Sequence, residues 1–219
     1  MTRFKICGLR DVPNALVAAD SGAGFLGFNF VEGVRRQLQP AEGSQIIYDF
    51  RMAFDGDSMP GIVGLFANQD ADFINDIIHR CGLDYVQLCG DEPPGLWSEL
   101  AAPVMRQVKV REDLPRSEAV ALASHQVAEA LEAGHLALMD KHKPGALGGT
   151  GITFDWAIAR EVARDKPVLV AGGLNPDNVA KAISVAAPWG VDVSSGVETD
   201  GVKDPGKIRA FADAVRAAG

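Results

Sequence analysis

Eight short apolar runs alternate with helix-forming segments from one end of the chain to the other, and this alternation limits the fold more than any single motif does. The runs are RFKI (Arg3 to Ile6), GFLGFNF (Gly24 to Phe30), GIVGLF (Gly61 to Phe66), DYVQL (Asp84 to Leu88), PVMRQV (Pro103 to Val108), HLALM (His135 to Met139), PVLVA (Pro167 to Ala171) and GVDVS (Gly190 to Ser194). Their near-continuous apolar character suits parallel strands covered on both faces, because a half-exposed strand would alternate polar and apolar positions. Helical patterns fall near Asp11 to Ser21, Ala41 to Phe54, Gln69 to Cys81, Pro94 to Ala101, Ser117 to Ala133 and Asp155 to Arg164. Two further helices carry explicit start signals: NPDNV offers Asn175 as N-cap with Pro176 in the first helical position, and DPGKI offers Asp204 and Pro205 in the same roles. Strand and helix repeated eight times within 219 residues predict an α/β chain folded as a single (β/α)8, or TIM, barrel, in which right-handed crossovers let a parallel sheet close on itself. The rival is an open doubly wound sheet, and its dinucleotide-binding form is disfavoured because no G-x-G-x-x-G follows the first run. With no linker or low-complexity tract, residues 1–219 are expected to form one domain.

Charge narrows the ligand class. Twenty-one basic against 29 acidic residues give a formal net charge of −8, which disfavours nucleic acid and anionic membrane as partners. A small phosphorylated substrate stays compatible, because backbone N–H groups and one or two local cations bind a phosphate inside an acidic protein. No stretch approaches the roughly 18 apolar residues of a membrane span, and no export signal is visible at the start. Cys7, Cys81 and Cys89 are odd in number and lack metal-ligand spacing, so neither a disulfide framework nor a structural zinc is expected. A cytoplasmic setting follows as the expectation. His79, His125 and His135 show no ligand spacing, and Trp97, Trp156 and Trp189 read as packing anchors between helices and barrel.

Barrel chemistry concentrates at the C-terminal ends of the strands, so the residues there matter most. Cys7 closes the first run; Arg35 and Arg36 follow the second; Asp140 follows the sixth; Gly172 and Gly173 follow the seventh; Ser194, Ser195 and Gly196 follow the eighth. The last two groups suit a phosphate, since glycines admit close backbone approach and barrels often bind phosphate after strands seven and eight. Turn glycines without a ligand are the plainer alternative. Cys7 and Asp140 make an acid–base pair across the barrel mouth if the thiolate is stabilised and the carboxyl held protonated. Taken singly, each residue is better explained by the plainer reading, Cys7 as a small apolar plug and Asp140 as a turn residue or helix cap.

KICGLR, GFNF, GLFAN, YVQLCGDE, GGTGITFDW, VLVAGGLNPDNV, GVDVSSGVET and GVKDPGKIRAF together closely resemble phosphoribosylanthranilate isomerases of tryptophan biosynthesis, over Phe4 to Phe211. The resemblance implies a (β/α)8 barrel, no metal, no organic cofactor, and an Amadori rearrangement of the aldose–ketose type. It implies Cys7 as general base, Asp140 as general acid, Arg36 at the anthranilate carboxylate, and phosphate contacts from Gly172, Gly173, Ser194, Ser195 and Gly196. Asp192 would be a ribose-side or loop-fixing carboxylate. The chain departs from the usual pattern at Val34 and Arg35, where Ser-Pro precedes the arginine, at Cys89, where histidine is usual, and at Ile152, where lysine is common. Two alternatives are an isomerase of the same fold acting on another phosphorylated sugar or amino sugar, and a non-catalytic phosphate-ligand-binding protein.

Overall fold

The computed structural model describes residues 1–141, 153–164 and 166–219. Eight parallel strands close into a barrel in sequence order: β1 (Arg3–Cys7), β2 (Phe25–Asn29), β3 (Gly61–Phe66), β4 (Tyr85–Leu88), β5 (Val104–Val110), β6 (Leu136–Lys141), β7 (Val168–Val170) and β8 (Gly190–Val193). The crossovers carry α1 (Val12–Asp20), α2 (Pro40–Ala53), α3 (Ala71–Cys81), α4 (Arg116–Glu132), α5 (Trp156–Ala163) and α6 (Val179–Ala186), and α7 (Pro205–Ala218) follows β8.

Local chemistry explains these elements. In α3 the buried residues Ile74, Ile77, Ile78 and Cys81 recur at helical spacing; Asp70 caps the start through the Phe73 N–H at 2.8 Å, and Gly82 ends the helix at φ 62°. In α7 Asp204 accepts from Gly206 and Lys207 N–H groups with Pro205 in the first turn, as its sequence predicts. Two expectations differ. Asn175 does not cap a helix: its Oδ1 accepts from the Asp177 and Asn178 N–H groups, and the resulting turn delays α6 until Val179. Pro94 to Ala101 forms only a 3₁₀ segment, Pro94–Glu99, because Pro93 and Pro94 supply no backbone N–H and Gly95 is a poor helix former.

The apolar core has two parts, separated by the strands' alternation. Phe4, Ile6, Leu26, Ile62 and Val86 face outward into the layer shared with the helices. Cys7, Phe25, Val63, Met105, Leu138 and Leu169 face inward and fill the barrel. Trp97 is buried against His135, and Trp156 packs on the outer layer. Trp189 departs from its expected helix–barrel position: it packs near Phe25 inside the barrel's N-terminal end, with the Arg3 guanidinium 4.5 Å from its ring. Apolar filling thus occupies the lower barrel, and the polar inward positions collect above it.

Candidate active site

A cavity opens among the strands' C-terminal ends, the barrel face where small-molecule sites lie. Its wall brings together Cys7, Arg36, Asp140, Asp192 and Ser194. Gly172, Gly173, Ser195 and Gly196 lie outside that wall, in the turns that follow β7 and β8.

Cys7 is the last residue of β1, and its inward direction follows from its parity with Lys5. Lys5 is fully buried, pairs in register with Asp192 of β8, and donates from Nζ to Asp192 Oδ1 at 2.8 Å. Burial opposes its charge, but Asp192 and Cys7 together hold its pKa above the ordinary lysine value. Burial pushes the Cys7 thiol up, and the nearby Lys5 charge pulls against that rise. Sequence reasoning passed over Lys5; the available signal was a lysine inside an apolar run, two residues from the cysteine and on the same strand face.

Asp140 lies within β6, paired in register with Lys109, because the strand runs to Lys141 and past the expected end at Met139. Its carboxylate accepts from the Lys141 N–H and from Gln107 Nε2, each at 2.8 Å. Burial dominates and raises its pKa to about 6, with Asp192 adding to the rise and the two hydrogen bonds and Lys5 opposing it. Such a group changes protonation state near neutral pH, as a proton donor in turnover must.

Arg36 is held in place by Glu198, whose two carboxylate oxygens accept from Nε at 2.6 Å and from a terminal nitrogen at 2.9 Å. Lys203 and Arg35 reach the same carboxylate at 2.9 and 2.7 Å. Burial alone would raise the Glu198 pKa; Arg36 and Lys203 outweigh it and hold it at about 2. Glu198 was also missed from sequence, where it stands just beyond the SSG turn with nothing to mark its partners. Gly8 matters here: its φ is 76°, and a Cβ would come within 2.5 Å of Arg36 Cδ. Arg35, by contrast, is half-exposed and turned to the rim.

The turns after β7 and β8 pack directly together. Gly172 and Gly173 both hold positive φ, Ser194 Oγ donates to the Cys7 carbonyl at 3.1 Å, and Ser195 and Gly196 lie in one 3₁₀ turn. A Cβ on Gly196 would overlap the Leu174 carbonyl oxygen. Gly196→Ala is therefore expected to lower stability by about 1–3 kcal/mol as the two turns are forced apart, which a thermal melt measures. Among the described residues, no group of three His, Cys, Asp or Glu side chains is placed to hold a metal ion.

The sequence matches the model of the N-(5'phosphoribosyl)anthranilate (PRA) isomerase family over residues 4–214. The chain belongs to that family. An N-(5'-phosphoribosyl)anthranilate isomerase of Roseiflexus sp. (strain RS-1) is 43% identical over 219 residues, covering 100% of this chain and 99% of that protein. The crystal structure of phosphoribosyl anthranilate isomerase from Thermotoga maritima superposes with a TM-score of 0.83 at 30% identity, covering 99% of this chain and 100% of the other. A further structure, phosphoribosyl anthranilate isomerase in complex with reduced 1-(o-carboxyphenylamino)-1-deoxyribulose 5-phosphate, gives 0.80 at 29% identity with the same coverage.

Against the usual pattern of these isomerases, the departures are now placed. Val34 and Cys89 line the cavity. Cys89 receives a hydrogen bond from Gln87 Nε2 at 3.3 Å, and burial pushes its thiol up to about 12, so it offers no second thiolate near neutrality. Ile152, together with His142 and the GGTG run at Gly148 to Gly151, lies outside the described residues.

Proposed function

We propose that residues 1–219 act as one catalytic domain for the reaction of the isomerase family, converting N-(5′-phosphoribosyl)anthranilate to 1-(o-carboxyphenylamino)-1-deoxyribulose 5-phosphate, with Asp140 as acid and Cys7 as base. The observation that carries the roles is one cavity lined by a thiol with a buried ammonium nearby and by a carboxyl raised to about 6. Protonated Asp140 gives its proton to the furanose ring oxygen, and the ring opens to the Schiff base. The Cys7 thiolate then removes the C2 proton, leaving an enolamine that tautomerises to the ketone. The carboxylate of the aromatic ring meets Arg36, whose Glu198 clamp fixes the guanidinium's direction. The phosphate rests against Gly172, Gly173, Ser194, Ser195 and Gly196, while Asp192 orients Lys5 beneath the ribose. We place the reaction in the cytoplasm, a setting that suits three free thiols; among the described residues, no helix is long and apolar enough to cross a membrane.

The test follows the loss of phosphoribosylanthranilate fluorescence, with the substrate generated in place from anthranilate and phosphoribosyl pyrophosphate. Rapid loss above background hydrolysis is expected, and none would reject the assignment. In the same assay Arg36→Met is expected to raise KM about 10- to 100-fold, the effect of losing a charge-assisted hydrogen bond of about 1.5–3 kcal/mol. A substrate lacking the ring carboxylate should show no such difference between wild type and variant; an equal KM rise with both substrates would remove Arg36 from carboxylate recognition.

A further inference from the structure

Lys5 presents an energetic puzzle. A buried ion pair is often no more stabilising than apolar side chains of the same volume, so packing alone gives little reason for an ammonium inside the barrel. Its surroundings suggest the reason. Lys5 Nζ is anchored on Asp192 at 2.8 Å and faces the Cys7 sulfur from the same strand. Gly27 of β2 leaves the room for this approach: a Cβ there would lie 3.2 Å from both Cys7 Sγ and Lys5 Cε, and 3.1 Å from Cys7 Cα.

We propose that Lys5 is a positioning residue for Cys7, its ammonium supplying the positive charge against which the thiolate forms while Asp192 keeps it in place. The proposal rests on the reading of Cys7 as the base. In the proton-transfer step the C2–H bond breaks, an S–H bond forms, and the negative charge moves from sulfur to the substrate. Lys5 keeps its proton throughout, because Asp192 holds its charge against burial. Other charges also reach the sulfur. Asp192 on β8 opposes the thiolate, and Lys203 beyond β8 favours it. Arg36 after β2 interacts with it favourably, and Cys89 just after β4 competes with it. Asp140 on β6 acts on Lys5 and Asp192. Lys5 is the first of the cations against burial, so its removal should have the largest effect.

The experiment compares kcat/KM against pH for wild type, Lys5→Met, the double variant Lys5→Met with Asp192→Asn, and Cys7→Ala. Folding is checked by circular dichroism, and alkylation at Cys7 is located by mass spectrometry. In Lys5→Met the alkaline limb, which reports the thiol because the Cys7 pKa lies above that of Asp140, should move up by at least about one pH unit, with alkylation at pH 7 slowed about tenfold, since each unit of pKa is a tenfold change in thiolate. The double variant leaves no unpaired buried charge, so it keeps the test open if the single variant does not fold, and its limb should move in the same direction. A folded variant with an unmoved alkaline limb and the wild-type alkylation rate overturns the role of Lys5 while leaving Cys7 as base. Full turnover by Cys7→Ala overturns both.

Discussion

Cys7→Ala is expected to lose about 10²- to 10⁴-fold in kcat, the range for removal of a positioned general base. No neighbour can replace the sulfur. Cys89 is held as a thiol by burial, with its pKa near 12, and Asp192 is engaged by Lys5. Ligand affinity should change only several-fold, because Arg36 and the turns after β7 and β8 do not depend on the sulfur atom. Their link to Cys7 runs through its backbone carbonyl, which accepts from Ser194 and survives the substitution. Single-turnover fluorescence measures the chemical step, and titration with a reduced, unreactive product analogue measures affinity. A kcat within threefold of wild type would remove Cys7 from the mechanism.

Asp140→Asn should be less active and more stable, a pairing that separates a catalytic acid from a structural carboxylate. Loss of the proton donor is expected to cost about 10²- to 10⁴-fold in kcat. For stability, the folded-state pKa of about 6 exceeds the ordinary value of 3.8, so the fold prefers the protonated form. Below pH 3.8 the group is protonated in both states and has no effect. Between there and pH 6 the folded state loses stability as pH rises, reaching a penalty of about 3 kcal/mol that persists at higher pH. Asparagine cannot ionise and escapes the penalty. It also weakens the hydrogen bonds from Lys141 and Gln107, so a net gain of about 1–2 kcal/mol is expected at pH 8, or roughly 2–8 °C in Tm. No gain is expected at pH 4. Melting curves at the two pH values decide the matter, and a variant less stable than wild type at pH 8 would assign Asp140 a supporting structural role.

These two side chains were legible because each stands at a strand's C-terminal end, where barrel chemistry collects, although Asp140 proved to be inside β6. Their partners were not. Gln107 donates to Asp140 from β5, 33 residues away; Lys5 meets Asp192 across 187 residues; Arg36 meets Glu198 across 162. Asn175 shows the opposite limit, a local capping signal that its own Asx turn diverted.

By itself the sequence determined the alternation of strands and helices, the cap at Asp204, and the strand ends where reactive residues would stand. All of these depend on interactions between near neighbours along the chain. The tertiary structure alone decided the barrel register and the clamp on Arg36, and with them the electrostatic setting of Cys7 and Asp140. Those properties depend on which charges are buried together, and burial is set only when β8 closes against β1 and brings Asp192 to Lys5.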